Sequence, residues 1–215
     1  MSDTRNNFIN LCLENSILKF GEYVLKSGRV SPYFFNAGGF DDGHLLSELS
    51  KFYASSIVEN IPGDFMLYGP AYKGIPLACA TALQLSQVYQ KNISYAFNRK
   101  EEKDHGEGGN LVGAPLSGNV VILDDVITAG TSVNESFEVI QNAGATPSAV
   151  VIALDRQEIA DNQTLSAVQR VEHELNIPVY SLIKLNDLVN FLSTDQHSSS
   201  HIGAVTAYRK KYSIL

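Results

Sequence analysis

The stretch Val120-Val121-Ile122-Leu123-Asp124-Asp125-Val126-Ile127-Thr128-Ala129-Gly130-Thr131-Ser132 decides how this chain is read. Its apolar start fits a strand buried on both faces of a parallel sheet. The strand ends on adjacent carboxylates, Asp124 and Asp125, at the edge where open α/β sheets place their ligands. Small, hydroxyl-bearing and glycine residues follow at 128–132, then Val133, Phe137 and Ile140 at helical spacing. Backbone N–H groups and hydroxyls at a helix N-terminus suit a phosphate dianion. Acceptors for sugar hydroxyls beside a phosphate cradle point to a ribose 5-phosphate site. An ordinary βα connection with a capping Thr or Ser would need only part of this pattern. Neither G-x-x-x-x-G-K-[ST] nor a post-strand G-x-G-x-x-G occurs, so P-loop and dinucleotide readings lack their signatures.

Outward from this segment the pattern alternates. Strands are expected at 65–68, 94–97, 120–123, 149–154 and 179–183, and helices at 74–89, 133–142 and 165–175. Such alternation with apolar strands implies an α/β fold, a central, mostly parallel sheet flanked by helices. Leu45, Leu46, Leu49, Phe52, Tyr53 and Ile57 recur at helical spacing, so 42–59 reads as a further helix. Phe8, Leu11, Cys12 and Asn15 mark a first short helix. Tyr23-Val24-Leu25 and Tyr33-Phe34-Phe35, separated by Lys26-Ser27-Gly28-Arg29, read as a hairpin. The hairpin breaks the alternation, so 1–40 is assigned to a small N-terminal hood and 41–215 to the core. The polar run His197-Ser198-Ser199-Ser200-His201 reads as a loose tail, the alternative being a metal-binding loop.

Between the strands at 94–97 and 120–123 lies Asn98-Arg99-Lys100-Glu101-Glu102-Lys103-Asp104-His105-Gly106-Glu107-Gly108-Gly109-Asn110. It is densely charged, glycine-rich and lacks apolar periodicity. A connection this long in a compact domain is often an active-site cover. Its position one strand before the phosphate motif favours a lid at 98–110 over a solvated loop. Arg99, Lys100, Lys103 and His105 would supply donors for a pyrophosphate. Gly69-Pro70-Ala71-Tyr72-Lys73-Gly74 adds a second cationic turn, and Arg156 follows another strand end.

The bulk properties set limits. At 215 residues, with 44 % hydrophobic and 18 % charged residues, the chain suits a globular protein able to bury a substantial core. A net charge of −7 argues against a general nucleic-acid binder and makes local cationic clusters informative. Cys12 and Cys79 sit far apart in apolar helical patterns, which reads as reduced core residues without metal spacing. Residues 1–10 lack a basic and apolar leader pattern, and no stretch approaches membrane-spanning length. A cytoplasmic protein with no membrane partner is expected.

Together Lys26, Tyr33-Phe34-Phe35-Asn36, the 69–74 turn, the 98–106 segment, the 120–132 motif and Asp155-Arg156 resemble the orotate phosphoribosyltransferases of the type I phosphoribosyltransferase family, over nearly the whole chain. The lid sequence is the most specific element, whereas the 120–132 motif is shared with purine and other phosphoribosyltransferases. The resemblance implies the type I phosphoribosyltransferase fold. It implies transfer of ribose 5-phosphate from 5-phosphoribosyl 1-pyrophosphate (PRPP) to N1 of orotate, in pyrimidine biosynthesis. It further implies Mg²⁺, bound mainly through PRPP and water, and a homodimer whose lid closes over the neighbour's site. On this reading Lys103, His105, Asp124 and Asp125 carry the catalysis. PRPP is held by Tyr72, Lys73, Arg99, Lys100, Lys103, His105, Asp124, Asp125 and 126–132. Orotate falls to Lys26, Phe34, Phe35, Thr128 and Arg156, with contact of Lys26 to PRPP as the alternative. A purine or xanthine phosphoribosyltransferase would keep the phosphate motif but need a different base-binding cap. A non-catalytic PRPP-binding regulator would be expected to lose the lid cations.

Overall fold

The apolar run at 120–123 is wholly buried and forms the heart of β6 (Asn119–Val126) in the computed structural model, which describes residues 2–25, 27–100, 110–159, 163–194 and 199–214. β6 lies in a six-stranded sheet, where it neighbours β3 (Met66–Gly69) and β7 (Thr146–Asp155). β4 (Tyr95–Asn98) and β5 (Leu111–Gly113) extend the sheet beyond β3, and β8 (Val179–Lys184) extends it beyond β7. All neighbours pair in parallel except β5, which runs antiparallel to β4 at the edge.

Strand side chains alternate between faces, so a strand buried on both sides feeds two cores. Val121 and Leu123 enter one cluster with Leu67, Val151 and Ala153. Val120 and Ile122 enter the other with Met66, Tyr68, Val150 and Ile152. The first cluster is covered by α1 (Ser2–Glu14), α2 (Gly43–Asn60), α3 (Gly74–Tyr89), α6 (Leu185–Thr194) and α7 (Ile202–Tyr212). The second is covered by α4 (Thr131–Asn142) and α5 (Ala167–Leu175) through Val133, Ile140, Val168 and Val171. The starts of α2 and α5 follow capping chemistry. Asp42 accepts the Leu45 amide at 2.8 Å, and Ser166 with Gln169 forms a capping box at α5.

The hairpin pairs β1 (Leu18–Val24) with β2 (Val30–Phe35) as a separate antiparallel sheet. β1 starts earlier than its apolar pattern suggests because its register shifts between Phe20 and Tyr23, which interrupts the alternation. α7 packs against β2, while α1 leans on β8, α2 and α6. The expected loose tail is corrected in part. Ser199–His201 form a 3₁₀ turn, and the His201 ring stacks on Phe20 at 5.1 Å; residues 197 and 198 lie outside the described residues. No helix among the described residues is long and apolar enough to cross a membrane.

Candidate active site

Because β3, β4, β6 and β7 run parallel, their carboxyl ends deliver the 69–74 turn, Asn98-Arg99-Lys100, the 124–132 segment and Asp155-Arg156 to one edge. The chain steps from β3 to β4 on one side and reaches β6 on the other. The crevice of an open α/β sheet opens at such a reversal.

Glycines shape the turn after β3. A Cβ on Gly69 would lie 2.0 Å from the Gly74 carbonyl oxygen, and one on Gly74 would lie 2.8 Å from the Leu123 carbonyl oxygen. Only glycine lets this turn press against β6. The Ala71–Tyr72 peptide is cis, and the Ala71 amide donates to Asn98 Oδ1 at 2.8 Å. The turn therefore sets Lys73 beside the acidic pair, with Nζ 2.5 Å from Asp125 Oδ2. Tyr72 stays exposed, and Lys100 Nζ sits 4.9 Å from its ring centroid.

Asp124 and Asp125 are both buried. The Tyr53 hydroxyl of α2 donates to the Asp124 carbonyl at 2.8 Å, and the Asp125 amide donates to Asp124 Oδ1 at 2.9 Å. Burial pushes the Asp124 carboxyl up to about 6, reinforced by the charge of Asp125; hydrogen bonds from the Asp125 amide and the Ser132 hydroxyl oppose the rise. Val126 and Ile127 carry the chain out of the sheet to Thr128, Ala129 and Thr131, which are exposed. Gly130 takes a left-handed φ of 84° and begins α4 without a side-chain cap. Uncapped amides at the positive end of a helix form a concave anion seat.

Arg156 turns toward the hairpin. Its guanidinium reaches Glu158 and Ser31 and lies 4.4 Å from the Tyr33 ring centroid. Strand alternation separates Phe34 from Phe35. Phe34 is exposed and stacks on Tyr23 at 5.3 Å, while Phe35 is half-buried against the core. Lys26, Lys103 and His105, with the bulk of the expected lid, lie outside the described residues. Among the described residues no group of three or more His, Cys, Asp or Glu side chains could hold a metal ion.

The sheet edge thus brings together Tyr72, Lys73, Arg99, Lys100, Asp124, Asp125 and 126–132, with Arg156 one strand away. Sequence reading missed Tyr53, Ser31, Glu158 and Tyr208, and gave Asn98 no partner. Their hydrogen bonds join distant segments, and no local pattern marks such a partner.

A model of the phosphoribosyl transferase domain matches residues 39–179. The chain is 53% identical over 215 residues to the orotate phosphoribosyltransferase of Proteus mirabilis, covering 100% of both chains. It is 49% identical over 214 residues to that of Pseudomonas aeruginosa, again covering 100% of both. A crystal structure of orotate phosphoribosyltransferase from Francisella tularensis superposes with a TM-score of 0.87 at 39% identity, covering 97% of this chain and 100% of that one. The chain belongs to the phosphoribosyltransferase family, among the orotate phosphoribosyltransferases.

Proposed function

We propose that this chain transfers ribose 5-phosphate from PRPP to N1 of orotate, releasing pyrophosphate and forming orotidine 5′-monophosphate for pyrimidine synthesis. The observation that carries this reading is one sheet edge holding the buried pair Asp124 and Asp125 beside the uncapped N-terminus of α4. The amides of 128–132 seat the 5′-phosphate, and the acidic pair accepts the ribose hydroxyls. Tyr72 and Lys73 face the pyrophosphate, joined by Arg99, Lys100, Lys103 and His105 from the lid at 98–110. Orotate lies among Lys26, Phe34, Phe35, Thr128 and Arg156, under a hood drawn from 1–40, with 41–215 as the core.

The bond from the anomeric carbon to the pyrophosphate oxygen breaks with its electron pair leaving on the pyrophosphate. The bond from N1 then forms through an oxocarbenium-like state, and the proton displaced from N1 passes to the pyrophosphate product or to water. Lys73 and the lid cations stabilise the charge growing on the leaving group, with Lys103 contributing most.

The donor set fits a metal carried in on the substrate. Asp125 is engaged by Lys73, and Mg²⁺ prefers substrate phosphates and water to an all-protein cage. Bound with PRPP, Mg²⁺ would neutralise charge on the pyrophosphate.

A homodimer with lids exchanged between subunits completes the proposal. Leu83 and Val88 of α3, Tyr95 of β4 and Leu111 of β5 are exposed apolar side chains that such an interface would cover. Free Cys12 and Cys79 suit the reducing cytoplasm.

Loss of orotate absorbance with PRPP and Mg²⁺, with and without chelator, tests the reaction. Turnover of hypoxanthine, xanthine or adenine in place of orotate would reject it.

A further inference from the structure

We infer that Glu158, Tyr208 and Ser31 are positioning residues that fix the Arg156 guanidinium for the base, which makes the C-terminal helix α7 part of the base site. The inference rests on the proposed contact of Arg156 with orotate. A long cation at the end of β7 would lose its side-chain freedom on binding, and the loss would weaken affinity. Here its neighbours order it beforehand. Nε donates to Glu158 Oε1 at 2.9 Å, and Nη2 lies 2.6 Å from the same oxygen. Nη2 also donates to Ser31 Oγ at 3.1 Å. Ser31 is itself held, since its hydroxyl donates to the Tyr33 carbonyl at 2.8 Å. The fully buried Tyr33 ring covers one face of the guanidinium, 4.4 Å from Cζ. This clamp uses the Nε–Nη2 edge. Planar geometry leaves Nη1 on the side away from Glu158, as the donor for a ligand.

Glu158 is anchored from the far end of the chain. The Tyr208 hydroxyl donates to the same Oε1 at 2.9 Å. Glu158 forms an antiparallel bridge with Ser213, just past the end of α7. The Ile159 amide donates to the Tyr212 carbonyl at 2.8 Å, and the Ile214 amide to the Gln157 carbonyl at 3.1 Å. Gln157, left-handed at φ 53°, donates its amide to Asp155 Oδ1 at 2.8 Å and accepts the Asn186 amide on its side chain at 2.9 Å. The turn carrying Arg156 is therefore pinned by α6 and α7. The side chains of Arg156 and Glu158 are only 13% and 17% exposed, so the pair keeps its geometry against solvent.

Steady-state kinetics on the full-length protein test this. Glu158→Gln should raise the orotate KM about tenfold and Tyr208→Phe about threefold, with the PRPP KM held within about twofold. Tyr208→Phe keeps the ring packing, so it reports even if Glu158→Gln folds poorly. In an Arg156→Lys background, Glu158→Gln should add less than about twofold, because contacting residues are non-additive. Equal rises for both substrates, or an undiminished Glu158→Gln effect without the guanidinium, would overturn the inference and make Glu158 a general prop. Unchanged orotate KM in Glu158→Gln and Tyr208→Phe, alongside a rise in Arg156→Lys, would overturn the positioning role alone. An orotate KM unmoved by Arg156→Lys would overturn the base-site assignment beneath it.

Discussion

Lys73 and Asp125 meet across the reversal of strand order, Nζ 2.5 Å from Oδ2, and so tie the turn after β3 to the end of β6. The pair holds the cation proposed for pyrophosphate against the carboxylate proposed for ribose.

The Lys73 side chain is 58% exposed, so the pair contributes about 0–1 kcal/mol to stability once solvent screening is counted. Lys73→Ala should therefore shift Tm by no more than about 4 °C. Its loss should fall on turnover, lowering kcat about 10²-fold as other lost charge-stabilising donors do. Parallel thermal melts and PRPP saturation curves check this. A large drop in Tm with unchanged kcat would make Lys73 structural.

Asp124 sets a pH dependence. Its carboxyl rises from 3.8 to about 6 on folding, so the folded state binds the proton more tightly than the unfolded chain. Stability from this group is full below 3.8 and is lost as pH climbs through about 6. Asp124→Asn escapes that loss, so its Tm relative to the parent should be higher near neutral pH than in acid. A Tm difference independent of pH would contradict the assignment. The proposed ribose contact uses the ionised acid, so on that proposal the PRPP KM of the parent should rise below about pH 6.

Gly69 tests the close approach behind the site. Its Cβ would lie 2.0 Å from the Gly74 oxygen, an overpacking worth about 1–3 kcal/mol. Gly69→Ala should lower Tm and weaken PRPP binding together. Gly203→Ala in α7 meets nothing within 4 Å and should raise Tm slightly through helix propensity. Melting curves for the two variants should move in opposite directions.

The shared lid has its own test. Lys103→Ala and Arg156→Ala are each expected to be inactive, and mixing them with subunit exchange gives hybrid dimers. A lid acting in trans restores about a quarter of parental sites, since each hybrid holds one intact site. A lid acting within its own subunit restores none.

The α/β layout was legible because the strand at 120–123 is apolar on both faces and because α3 carries a continuous helical stripe. The acidic pair and the 128–132 turn are contiguous, so local spacing marked them. α6 was overlooked although Leu185, Leu188, Phe191 and Leu192 form a readable stripe. α7 offered less, burying only Val205 and Tyr208 among polar neighbours. β5 is too short to show alternation. Glu158 and Tyr208 lie 50 residues apart, and Ser31 lies 125 from Arg156. Such partners are set by packing, which no local pattern records. Phe34 and Phe35 looked like one base-binding unit, yet the strand turns them to opposite faces.

The central claim is that the amides of 128–132 and the acidic pair grip a sugar phosphate at the carboxyl edge of β6. A crystal structure with orotidine 5′-monophosphate measures this directly. Phosphate oxygens should lie about 3 Å from the 128–132 amide nitrogens, with ribose hydroxyls on Asp124 and Asp125 and the base against Arg156. A nucleotide bound elsewhere, with those amides making no contact to it, would contradict the account.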